Sequence, residues 1–241
     1  MIKAASSQDR VAVITPYHGE DLAYITQCHQ SVLAQTYPAL HVLVADGSPL
    51  PEISSWQAHH VILPVCHGDI GSTPRLIGSY HAIGLGMDAI AFLDADNWYA
   101  PNHLANLMEA RQHDKAEFVS SGRMLCRLDG TAMAPCTLIN PQNFIDTNCM
   151  LFSREAYPLL HHWVLMPNYG HLIGDRIMFH HIRQSGMRHS HISEPTVNYR
   201  CGKEGLYRLL GEQIPMGVQP RPDFDSSFRQ WEDDGNPPLA R

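Results

Sequence analysis

No CxxC pair occurs among the cysteines at 28, 66, 126, 136, 149 and 201, which removes both the zinc ribbon and the dithiol redox motif. No Lys/Arg cluster interrupts a chain of net charge -7, so the basic face that nucleic-acid phosphates require is missing. No apolar run approaches the length of a membrane-spanning helix. Residues 1–10 are polar, without the apolar stretch of a signal peptide. These absences lead us to expect a cytoplasmic protein with no integral membrane segment, its cysteines reduced and mostly buried. No internal repeat is visible. What remains is 241 residues, 44% hydrophobic and 17% charged, enough for one sizeable core. The sixteen histidines include the pairs His59-His60, His161-His162 and His180-His181. Adjacent side chains diverge on a strand or helix, so these pairs are expected at the surface or in packing; one histidine could still complete a metal shell.

The stretch Ala89-Ile90-Ala91-Phe92-Leu93-Asp94-Ala95-Asp96-Asn97 organises the chain. A short apolar run ending in two carboxylates reads as a buried strand, with a helix segment as the competing reading. On an extended strand Asp94 and Asp96 point the same way, with Ala95 turned elsewhere. Two such carboxylates repel unless a cation or a donor lies between them, which suggests a hard divalent ion holding a diphosphate. Capping of the helix opened by Pro101 is the competing explanation.

Val11-Ala12-Val13-Ile14 forms a further β-branched run, closed by the loop Thr15-Pro16-Tyr17-His18-Gly19. Leu22, Ile25, Val32 and Leu33 follow at helical spacing, and a strand over 41–45 ends at Asp46-Gly47-Ser48-Pro49. Strand, helix and strand make a βαβ unit, hence parallel strands. A strand near 60–64 comes next, then a glycine-bearing loop to a helix that Thr73 caps, Pro74 opens and Gly84 and Gly86 end. The exits at Thr15, Asp46 and Asp96 thereby meet at one edge of the sheet, where open α/β sheets bind ligands. Later segments read as a strand over 117–127, a strand through residue 152, a helix capped by Ser153, a helix after Gly174-Asp175, and strands at 188–192 and 196–200. Residues 211–241 are rich in Pro, Gly and Asp and are expected to form an extended or partly disordered tail.

Over residues 11–200 these motifs, in this order, resemble the family 2 inverting glycosyltransferases. The resemblance rests on Val13-Ile14-Thr15-Pro16-Tyr17, Ser31-Val32-Leu33-Ala34-Gln35-Thr36-Tyr37-Pro38, Ala45-Asp46-Gly47-Ser48, Phe92-Leu93-Asp94-Ala95-Asp96-Asn97 and Gly174-Asp175. It implies a GT-A fold, a Rossmann-like α/β/α sandwich with a mostly parallel central sheet, over residues 1–210, followed by the tail. It also implies a nucleoside-diphosphate sugar donor, UDP foremost, with Thr15, Pro16, Tyr17, Asp46, Arg75, Asp94 and Ala95 binding its nucleotide. Tyr17 would lie on the base and Asp46 would accept a ring N–H, as an aromatic face and a carboxylate can. Arg75 suits a phosphate or ribose contact. Asp96, with Asp94, would hold Mn2+ or Mg2+, which offsets charge on the leaving group. Asp175 resembles the general base that deprotonates the acceptor hydroxyl of a glycan, lipid-linked sugar or small molecule; as a first-turn helix acid it has a structural explanation too.

This chain departs from the family pattern in having Ala45 and Gly174 where a second acid is usual, and it lacks the Gln-Arg-Trp signature of processive synthases, so a single transfer is expected. A catalytically inactive nucleotide-sugar binding module is the alternative. A sugar-phosphate nucleotidyltransferase would require a glycine-rich Arg/Lys loop, which Thr15-Pro16-Tyr17-His18-Gly19 is not.

Overall fold

Val11–Tyr17 is buried at every position, and this apolar strand, β1, sets the layout of the molecule. A computed structural model describes residues 8–241; most of the polar start considered for a leader lies outside the described residues. From β1 the chain runs through helix α1 (Leu22–Leu33) into β2 (Ala39–Asp46), β3 (His59–Leu63), α2 (Ser72–Gly84) and β4 (Ala89–Phe92). Strands β3, β2, β1 and β4 lie side by side and parallel. Because β1 sits between β2 and β4, the crossovers leave it in opposite directions, and a crevice opens at the carboxyl ends of these strands.

The second half extends the same sheet. After β5 (Trp98–Tyr99) and α3 (His103–Asp114) come β6 (Phe118–Cys126), β7 (Ala132–Pro135), β8 (Met150–Ser153), α4 (His162–Leu165), α5 (Gly174–Gln184) and β9 (His189–Arg200). The full order is β3-β2-β1-β4-β8-β6-β9-β5, with β7 beside β6. β8 pairs antiparallel to β4 and β6, whereas β6 and β9 form a long parallel ladder. The two expected strands at 188–192 and 196–200 are thus one strand, bent where its register with β6 slips around Gly122. A Cβ at Gly122 would fall 2.7 Å from the Ser193 carbonyl oxygen, so only glycine admits that bend.

Helix α2 closes on the sheet for a comparable reason. A Cβ at Gly78 would meet Cγ2 of Ile14 at 2.5 Å and Cγ2 of Val44 at 2.8 Å. Its start differs from expectation: Gly71, at φ +80°, is the cap residue and Thr73 lies inside the helix. Asp69 does the capping, accepting the Thr73 N–H at 2.8 Å and its hydroxyl at 2.6 Å, because a carboxylate before the first turn satisfies free amide donors. Ser153 ends β8 and donates to the Glu117 carbonyl, and a 3-10 helix, Arg154–Leu159, follows it.

Residues 211–241 are not simply extended. Past α6 (Glu204–Leu210), helix α7 (Phe224–Asp233) is capped by Asp223, which accepts the Ser226 N–H at 3.0 Å. Phe224, Phe228 and Trp231 fall at i, i+4 and i+7, a helical stripe that the surrounding Pro and Gly obscure in the sequence. Phe228 and Trp231 enter the main hydrophobic core with Val11, Phe92 and Phe179. Five of the six unpaired cysteines are buried and Cys66 is exposed. No helix among the described residues is long and apolar enough to cross a membrane.

Candidate active site

Strand β4 ends at Phe92, and Asp94-Ala95-Asp96-Asn97 is a turn, closed by the Asn97 N–H donating to the Asp94 carbonyl at 3.0 Å. The strand alternation expected to align the two carboxylates therefore does not apply. Arg200 steadies the turn, donating from Nε to the Asp96 carbonyl at 3.0 Å and from its backbone N–H to Oδ1 of Asn97 at 2.8 Å. Its guanidinium lies over the rings of Tyr24 and Trp98, 4.2 and 4.9 Å from their centroids.

The two aspartates have different surroundings. Asp94 accepts from Arg75 Nη2 at 2.5 Å and from Asn148 Nδ2 at 2.8 Å. Arg75 also donates to the Ile70 carbonyl at 2.8 Å and lies over the Trp163 ring. Asp94 is thereby paired with a buried arginine. Asp96 makes no salt bridge with any described residue, and burial together with the Asp94 charge pushes it up to about 7.

Asp96 borders a cleft of about 390 Å³ whose walls include Pro16, Tyr17, His18, Asp46, Arg75, Asp94 and Ala95. No group of three or more His, Cys, Asp or Glu side chains suited to a metal occurs among the described residues. The Asp96 carboxylate is an oxygen donor of the kind Mg2+ accepts, and Asp96 is the residue that would hold such an ion.

The expected nucleotide residues divide. Pro16, Tyr17, Asp46, Arg75, Asp94 and Ala95 reach the cleft, and Thr15 does not line it. Thr15 is fully buried, with its hydroxyl 2.9 Å from His41 Nε2 and 3.6 Å from Cys28 Sγ. Tyr17 is 2% exposed: its ring packs with Ile25, Leu43 and Ile53, and its hydroxyl binds His60 Nε2 at 2.7 Å and accepts the Leu50 N–H at 3.0 Å. That leaves the ring as cleft wall, with little open face for a base. Asp46 meets His67 Nδ1 at 2.7 Å and accepts the His67 N–H, so a ring N–H would compete with His67 for it.

Asp175 opens α5 and lines a second cavity, of about 680 Å³. The two cavities adjoin, for Ile70, Arg75 and Asp94 border both. Asp175 accepts from the Arg176 N–H at 2.8 Å and from Arg176 Nη1 at 3.1 Å. Burial raises its pKa, opposed by Arg176, so it is a stronger base than a free carboxylate. In the wall of this cavity Arg123 and Asp146 form a buried ion pair. Asp146 accepts from the backbone and side-chain nitrogens of Asn148 at 2.9 and 2.8 Å. A continuous chain thus joins Arg123, Asp146, Asn148, Asp94 and Arg75.

The family model described as "Glycosyl transferase family 2" matches residues 12–180. The chain belongs to glycosyl transferase family 2. Among solved structures it is similar to S. aureus TarS 1-349 in complex with UDP, with a TM-score of 0.61 at 16% identity, covering 83% of this chain and 63% of that one. The complex of TarS 1-349 with UDP-GlcNAc gives a TM-score of 0.62 at 14% identity over 92% and 65%. A longer TarS chain gives 0.60 at 16% identity over 83% and 39%. This chain therefore spans less than two thirds of those chains, and the likeness establishes the shared GT-A fold. A search of curated proteins finds no match.

The family match includes β1, the Asp94–Asn97 turn and Asp175, and it ends within α5. Sequence reasoning missed Asn148, Asp146 and Arg123. The signal available was Asp146-Thr147-Asn148, polar residues buried just before an apolar strand, where a buried polar group requires a partner.

Proposed function

We propose that this family 2 protein transfers a sugar from a nucleoside-diphosphate donor to an acceptor hydroxyl in one inverting displacement. The observation that carries the proposal is the meeting of two cavities at Arg75 and Asp94, with Asp96 on one side and Asp175 on the other. The first cleft takes the nucleotide and the second takes the acceptor. Asp46 and the walls at Pro16, Tyr17 and Ala95 hold the nucleoside. Arg75 and Asp94 meet the donor where the cavities join. Asp175 receives the acceptor hydroxyl proton as that oxygen attacks the anomeric carbon. Burial that raises the pKa of Asp175 suits it to this task.

Asp96 is the residue that would hold Mn2+ or Mg2+, with Asp94 kept near it by Arg75. Such an ion offsets the negative charge of the departing diphosphate. The TarS complexes with UDP and UDP-GlcNAc support a UDP-sugar donor. Residues 1–210 would be the transferase domain, and residues 211–241 would close the acceptor side. Unpaired cysteines accord with a reducing compartment, the cytoplasm.

The test is Asp175→Asn in protein supplied with UDP-GlcNAc and Mn2+, with water taking the sugar in place of the acceptor. UDP release should fall at least a hundredfold, within the range of a lost general base, while calorimetric UDP binding stays within twofold. Equal turnover in both proteins would remove Asp175 from the reaction.

A further inference from the structure

The wall of the second cavity has a charge opposite in sign to that of the molecule. A chain of net charge -7 places Arg75, Arg123, Arg176, Lys203, Arg221 and Arg241 around it, against the three carboxylates Asp94, Asp146 and Asp175. Each of these acids is already matched, to Arg75, Arg123 and Arg176 in turn. The remaining three cations are in excess. Arg221 pairs with Asp225 and Arg241 with Glu232, both at 3.1 Å and both partly exposed, where ion pairing is weak. Among the described residues Lys203, one of three lysines in the chain, donates from its ammonium only to the neutral side-chain oxygen of Gln219. Arg176 lies 4.1 Å over the Phe144 ring, which fixes its guanidinium plane at the cavity wall. Lys203, Arg221 and Arg241 all follow the residues matched by the family model, 12–180, so the cations in excess come from the segment beyond that match.

We infer that the acceptor is anionic, carrying a phosphoryl or carboxylate group that Lys203 and Arg221 receive while its hydroxyl faces Asp175. Guanidinium and ammonium groups suit such oxyanions, and a cavity wall of one sign concentrates ligands of the other. This inference deepens the proposed transfer and rests on it for the role of the cavity.

The experiment titrates the full chain, loaded with UDP and Mn2+, with glucose, glucose 6-phosphate and glucuronate, and reads binding by NMR shift perturbation of the protein. At least one anionic probe should bind tenfold or more tightly than glucose, and its affinity should fall with added salt. Phosphate and glucuronate arms identify which oxyanion is preferred. The exposed pair Lys203→Gln with Arg221→Gln should cost the anionic probe tenfold and leave UDP affinity and Tm unchanged. Equal binding of charged and neutral probes, no binding of either anion, or an anion insensitive to both substitutions overturns the inference. Failure of UDP to bind overturns the donor-site proposal instead, and the same three probes then decide the charge argument on unloaded protein.

Discussion

Asn148 grips Asp94 from two sides: its side-chain nitrogen donates to Asp94 Oδ2 at 2.8 Å, and its side-chain oxygen accepts the Asp94 N–H at 2.6 Å. The same nitrogen also reaches Asp146 Oδ1 at 2.8 Å. The start of the acidic turn is therefore fixed by a residue fifty-four positions later in the chain. Asn148→Ala takes one buried donor from each of two carboxylates and the acceptor from the Asp94 N–H. We expect a loss of about 2–3 kcal/mol, read from urea unfolding, and weaker UDP binding because Asp94 and Arg75 lose their anchor. Asn148→Asp should be worse, since it sets a third carboxylate between Asp94 and Asp146.

Asp96 links the site to pH. Held at about 7 by burial and by Asp94, it keeps its proton in the native state at pH values where the unfolded chain, with an Asp pKa of about 3.9, has lost it. Its contribution to stability is therefore fully present below about pH 4 and is lost as pH rises through about 7. In metal-free protein Asp96→Asn should raise stability at pH 8, by an amount on the order of 2–4 kcal/mol, and change it little at pH 4. Chemical denaturation with chelator at the two pH values measures this. Equal effects at both would mean that Asp96 titrates normally.

Tyr17 separates a packing role from base stacking. Its ring belongs to a buried cluster and its hydroxyl bridges His60 and Leu50. Tyr17→Phe keeps the ring and loses that bridge. A cost of about 1–2 kcal/mol follows, with UDP affinity unchanged within twofold by calorimetry.

Helix α7 carries a further expectation. Trp231 is 5% exposed and donates from Nε1 to the Pro237 carbonyl at 2.7 Å. Trp231→Ala should destabilise the protein by about 3–5 kcal/mol, measured by urea unfolding. A loose tail would give almost no change.

The parallel half of the sheet was legible in the sequence because buried parallel strands are short, largely apolar runs, and 11–14, 41–45 and 89–92 are such runs. Their polar exits placed Pro16, Asp46 and Asp96 in one cleft. What the sequence hid depended on distant partners. Thr15 turns toward His41 instead of the cleft, and no spacing reveals that hydrogen bond. Asp94 leaves the strand pattern because Asn148 and Arg75 hold it within a turn. The apolar stripe of α7 is short and flanked by Pro and Gly, so composition outweighed period. The arginines of the second cavity come from α2, β6, α5 and the C-terminal segment, and only the fold gathers them.

The most direct test of the donor site is the rise in Tm on adding UDP, with Mn2+ or with chelator, for wild type and Asp96→Ala, each compared with its own unliganded state. Binding to the native state at a hundredfold excess over Kd adds about 2.7 kcal/mol. The account predicts a rise with Mn2+ in the wild type that chelator diminishes and Asp96→Ala removes. A rise of the same size in all conditions would take the metal away from Asp96, and no rise in any would contradict the nucleotide site.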